Sequence, residues 1–127
     1  MRRLAAGLLV ACATLTLGGA GARASTRVPP ARMLVYAQEW SLWASRPSVP
    51  HGKVIVQVWN RGQDAHDLHV QRLDRHGRLV GVPQSVAITQ SGARNQGTWH
   101  LRRGRYELYC SLPGHYQRGM HAVLVVR

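Results

Sequence analysis

Carboxylates are scarce in this chain: five aspartates and glutamates stand against 17 lysines and arginines in 127 residues, for a formal charge of +12. Lysine is scarcer still, since Lys53 is the only one; the arginines are spread through turns and strand edges. No single basic block exists, so the charge describes a globally basic surface, suited to acidic protein partners or anionic membrane headgroups and weakened by salt. Cysteine is limited to Cys12 and Cys110. Long apolar runs are limited to Leu4 to Leu17, too short and too glycine-broken for a membrane span. Internal repeats are absent, and the apolar segments after residue 34 are too short for the helices of a bundle.

The N-terminus explains the one apolar run. Met1-Arg2-Arg3, the stretch Leu4 to Leu17 and the small-residue pattern Ala22-Arg23-Ala24 read as a secretory signal peptide over residues 1–24. Leu9-Val10-Ala11-Cys12 resembles a bacterial lipobox, which makes a lipid anchor at Cys12 the alternative; the apolar residues that continue past Cys12 argue against it. Either way Cys12 stays outside the folded domain, and residues 25–127 suffice for one small domain with a real core. The expected location is periplasmic or otherwise extracytoplasmic, which makes nucleic acid a poor partner for this basic surface.

Residues 25–33, with Pro29-Pro30, read as an exposed lead-in to a domain over 34–127. From Leu34 onward turn signals recur at short intervals, among them Asn60-Arg61-Gly62, Ser91-Gly92, Arg103-Gly104 and Pro113-Gly114. The segments between them are rich in Val, Ile, Leu, Tyr and Trp, which points to an all-β sandwich or barrel. Alternation places Val54, Val56 and Val58 on one face, and likewise Leu34, Tyr36, Trp40 and Leu42. His121 to Val126 is apolar on both faces after its first residue, as expected of a strand covered on both sides. Val82 to Gln96 does not separate strand from irregular crossover.

Export leaves Cys110 without an intrachain partner, so it is a free thiol, an intermolecular disulfide or a metal ligand. His115 follows after four residues and Met120 after four more. Singly each has a plainer role in a core or turn; together a thiolate, an imidazole and a thioether suit a thiophilic metal, copper above all. Zinc is the rival, yet it prefers closed tetrahedra of Cys, His and carboxylate and has no use for a thioether. The two-residue period selects among the seven histidines: His66 shares parity with Leu68 and Val70, while Asp67, His69 and Gln71 face the other way. Cys110 shares parity with Tyr106 and Leu108, so both candidates reach the interior from strand ends. His69 is the rival for the first histidine. A second centre built from His51, His76, His100, His121 and His69 lacks any recognisable ligand spacing.

The segment Asn60 to Leu68, followed by Tyr106-Glu107-Leu108-Tyr109-Cys110-Ser111-Leu112-Pro113-Gly114-His115 and Met120, resembles type I copper cupredoxins of the auracyanin and rusticyanin branch. The resemblance implies a Greek-key β-sandwich and one mononuclear copper, with His66, Cys110 and His115 as strong ligands and Met120 as the weak axial one. It implies a non-enzymatic, monomeric carrier of single electrons between redox proteins, docking through Leu112, Pro113 and Tyr116 around His115, with Arg118 at the rim. The alternative is a periplasmic copper carrier or storage protein without redox turnover. Many cupredoxins carry Asn after the first histidine; here Asp67 stands there and is expected to accept hydrogen bonds from Ser111.

Overall fold

A computed structural model describes residues 28–127; the expected signal peptide and Cys12 lie outside the described residues. The valine alternation of β4 (Gly52–Asn60) builds the centre of the first sheet, because Val54, Val56 and Val58 are all fully buried on one face. Beside β4 run β1 (Ala31–Gln38), parallel to it, and β7 (Arg94–Leu101), antiparallel, with β2 (Ser41–Ala44) outside β1. The second sheet has the order β3 (Ser48–Val49), β9 (His121–Val126), β8 (Gly104–Tyr109), β5 (His66–Leu73) and β6 (Leu79–Thr89). Its inner face supplies Leu68, Val70, Leu108 and Leu124, which meet Val35, the β4 valines and the fully buried Trp99 of the first. The result is the all-β, single-domain, cupredoxin-like sandwich that the sequence implied.

Where β6 meets β7 the sheets come close together. Gly97 permits this: a Cβ there would lie 2.9 Å from Val86 Cγ2. Any larger residue at 97 would force the two strands apart.

Three expectations need correction. The segment Leu34 to Leu42 is two strands, with Glu39 and Trp40 in the turn between them; β1 buries Met33, Val35 and Ala37 rather than Leu34 and Tyr36, while Leu42 on β2 is buried as expected. Both faces of β1 are apolar, so alternation alone could not choose. The register with β4 decides it, pairing Met33 with Val56 and Val35 with Val58, both inward-facing. Tyr36 instead packs outside on Trp59, 5.7 Å between ring centroids, with the Arg61 guanidinium near both rings. β9 is covered on one face only: Leu124 and Val126 are buried, whereas Val123 is exposed because no layer lies outside this sheet. Finally, β1 begins at Ala31 and pairs with Val54 from that residue on, so the ladder starts within the expected lead-in.

Val82 to Gln96, ambiguous by sequence, divides into the end of β6, a turn and the start of β7. Register shifts in the β5–β6 pairing, together with Gly81 at φ +74°, break the alternation that would have marked β6 as a strand.

Candidate metal centre

Two neighbouring strands set the first two predicted donors. β5 and β8 are antiparallel, with His69 opposite Tyr109 and Val70 opposite Leu108. His66 opens β5 and Cys110 follows β8 directly, so both stand at the same end of the sandwich. Both are fully buried, as their parity predicted.

The loop after Cys110 returns the other two. His115 N–H donates to Leu112 O at 3.1 Å, and a short 3-10 turn, Tyr116–Arg118, follows. Gly119 ends that turn at φ +113°, a conformation that suits only glycine without strain. Met120 N–H then donates to His115 O at 3.1 Å, and Cys110 N–H donates to Met120 O at 3.1 Å. Met120 is fully buried, and its backbone ties the two ends of the loop together. Glu107 steadies the loop from beneath, with Oε1 3.1 Å from both the Tyr116 hydroxyl and His121 Nδ1.

The donor atoms of His66, Cys110 and His115 all lie within 4.8 Å of one another. His66 Nδ1 is 3.2 Å from His115 Nδ1, and Cys110 Sγ is 3.4 Å from the same nitrogen. At most one proton fits between two facing Nδ1 atoms, so at least one lone pair points into the gap. Burial pushes the Cys110 thiol up to about 11, while the backbone amides of Leu112 and Asp67, directed at the sulfur, act in the opposite sense. At neutral pH the metal-free cysteine is therefore a thiol, and the gap suits a cation soft enough to displace its proton. Two imidazoles, a thiolate and an adjacent buried thioether fit copper on these grounds.

Asp67 does what its position predicted. Its Oδ1 accepts the Ser111 amide at 2.7 Å, and Oδ2 accepts the Ser111 hydroxyl. Burial alone would raise the carboxyl pKa, but the Ser111 hydroxyl and amide together hold it below the ordinary aspartate value. His69 belongs to this outer group: its Nε2 is 3.2 Å from Asp67 Oδ2 and its ring stacks on Tyr109, 5.3 Å between centroids. The other histidines have separate surroundings, His51 Nδ1 at 3.1 Å from Arg127 O and His76 Nε2 accepting from Arg75 Nε at 2.9 Å.

Two residues at the site had no sequence signal. Glu39 Oε1 lies 3.0 Å from His66 Nε2, and the Trp40 ring meets the His115 ring edge-on with centroids 5.0 Å apart. Both sit in the β1–β2 turn, 26 residues or more from either histidine, and no local pattern links them to the donors. The one available hint was the rarity of carboxylates.

Residues 31–127 match the sulfocyanin (SoxE) domain. The chain belongs to the sulfocyanin family. This is a blue copper cupredoxin family, in keeping with the resemblance drawn from the Cys-His-Met loop, and its cofactor is a single type I copper. No curated protein matches the chain. Among solved structures, the sulfocyanin domain is similar to auracyanin A, a "blue" copper protein from Chloroflexus aurantiacus, at TM-score 0.61 and 13% identity over 78% of this chain and 100% of that one. Reduced auracyanin from Roseiflexus castenholzii aligns at TM-score 0.61 and 17% identity over 76% and 96% of the two chains. Rusticyanin from Thiobacillus ferrooxidans aligns at TM-score 0.56 and 16% identity over 76% of each. These likenesses establish the fold.

Proposed function

We propose that this protein is an exported carrier of single electrons, working at one type I copper that His66, Cys110 and His115 would hold, with Met120 as a weaker fourth donor. The observation that carries the reading is the convergence of three donor atoms of the right softness within 4.8 Å, beside a buried thioether. Copper supplies one-electron cycling between Cu(II) and Cu(I), and this mixed donor set is a compromise between the preferences of the two states.

The chain's own residues do the rest. The Ser111–Asp67 bonds and the backbone ties through Met120 hold the donors in one arrangement, which limits rearrangement when charge changes. Burial of His66, Cys110 and Met120 keeps water away from the sulfur. His115, only half-buried, is the donor that reaches toward the surface, beside a 420 Å³ pocket lined by Leu112, Pro113, Tyr116 and their neighbours. Partners dock there, and Arg118, its guanidinium 4.4 Å from the centroid of the Trp40 ring that packs on His115, adds a positive charge on the Trp40 side of that histidine.

The test is to add Cu(II) to the purified protein and record its visible spectrum and its reduction. An intense charge-transfer band and repeated reduction without metal loss are expected. A colourless copper form overturns the proposal, and ready surrender of Cu(I) to a chelator favours delivery or storage. The positive charge, +9 once Arg2, Arg3 and Arg23 leave with residues 1–24 (14 − 5), adds a kinetic expectation: electron transfer with an acidic partner slows as ionic strength rises. Rates insensitive to salt would remove electrostatic steering from the account.

A further inference from the structure

His66 is fully buried, yet its Nε2, the nitrogen turned away from the other donors, meets a carboxylate oxygen: Glu39 Oε1 at 3.0 Å. That same oxygen accepts the backbone amides of Gln63 at 2.9 Å and Asp64 at 2.7 Å. Space for the carboxylate is made by Gly62, where any Cβ would collide with it. Opposite, Asn60 fixes the same loop, donating from Nδ2 to Asp64 O at 2.7 Å and Thr89 O at 2.9 Å and accepting Gly62 N–H at 2.8 Å. The carboxylate therefore lies in a cradle built on both sides.

We infer that Glu39 is a positioning residue of the copper centre, holding the His66 proton on Nε2 so that the Nδ1 lone pair faces the metal, and keeping a negative charge against that imidazole. The inference rests on the proposed ligand role of His66. An ionised carboxylate can only accept, so the shared proton belongs to Nε2, and a neutral imidazole protonated there has its lone pair on Nδ1. Two backbone amides and the His66 ring all converge on that one oxygen, an arrangement that suits an ionised carboxylate, which only accepts. A carboxylate bonded to a ligand imidazole raises its basicity and favours the more highly charged metal state. The next residue in the turn, Trp40, packs on His115, so one two-residue connection braces both imidazoles.

The alternative is that Glu39 only ties the β1–β2 turn to the loop before β5, and three measurements separate the two. Glu39→Gln keeps an acceptor for His66 and the amides but removes the charge, so its reduction potential should shift upward with copper retained. Glu39→Ala should weaken copper binding about 10- to 100-fold in competition with a chelator, the usual effect of losing such a partner. Nitrogen NMR of the His66 ring in the metal-free protein should show the Nε2–H form in wild type and a tautomer mixture in Glu39→Ala. An unchanged potential in Glu39→Gln, with the same His66 tautomer in Glu39→Ala and only thermal stability reduced, overturns the inference. If the wild-type protein takes up no copper, the ligand assignment fails instead, and the metal-free NMR arm still judges what Glu39 does to His66.

Discussion

Cys110→Ser should abolish the visible band of the copper-loaded protein completely. The band requires electron density passing from a thiolate to Cu(II), and a serine hydroxyl, hard and essentially never ionised at neutral pH, cannot supply it. The substitution is conservative in shape, but the fully buried position makes it costly in a second way. The shorter C–O bond sets the hydroxyl farther than Sγ from His115 Nδ1 and from the amides of Leu112 and Asp67, and a buried hydroxyl whose bonds are poorly made costs roughly 1–3 kcal/mol. The variant should thus unfold at a lower temperature even without metal, and circular dichroism of the metal-free form must confirm a native fold before colour is compared. A folded Cys110→Ser protein that stays blue would refute the assignment of the thiolate.

Asp67→Ala and Asp67→Asn should separate structure from charge at the other tie. In the alanine variant the Ser111 amide and hydroxyl both lose an ionised acceptor, and bonds to charged groups contribute about 1.5–3 kcal/mol each. Since the bonds are coupled and partly exposed, a total loss of about 3 kcal/mol is expected, measured by denaturant unfolding of the metal-free protein. The asparagine variant keeps an acceptor for the Ser111 amide and loses the charge. A unit charge near a metal, at an effective dielectric of about 20, is worth on the order of 1–2 kcal/mol, so the potential should rise by roughly 40–90 mV for a one-electron couple. Equal potentials for wild type and Asp67→Asn would mean that solvent screens this carboxylate from the centre.

The two carboxylates contrast in how readable they were. Asp67 follows His66 directly, at the position where the cupredoxin resemblance implies an Asn tied to the residue beside the cysteine, so the resemblance located it and its partner Ser111. Glu39 reaches His66 across the end of the sandwich, from a turn whose very existence was hidden because Leu34 to Leu42 read as one strand. The same contrast governs the fold. Alternation was decisive for β4 and β5, where one face is clearly more apolar than the other. It failed for β1 and β9, where both faces carry large apolar residues and only the pairing with a neighbouring strand, or the absence of an outer layer, determines which side is inside.

The donors are brought together by hydrogen-bonded ladders and by a core of valines, leucines and Trp99 that owe nothing to a metal. Small zinc domains are different, because there the ion supplies the free energy of folding. In this sandwich, folding and metal uptake are separable events: the chain can reach its native state first and meet copper afterwards. Removing the ion should therefore leave an intact vessel rather than an unfolded chain, and the timing of copper supply need not coincide with the timing of folding.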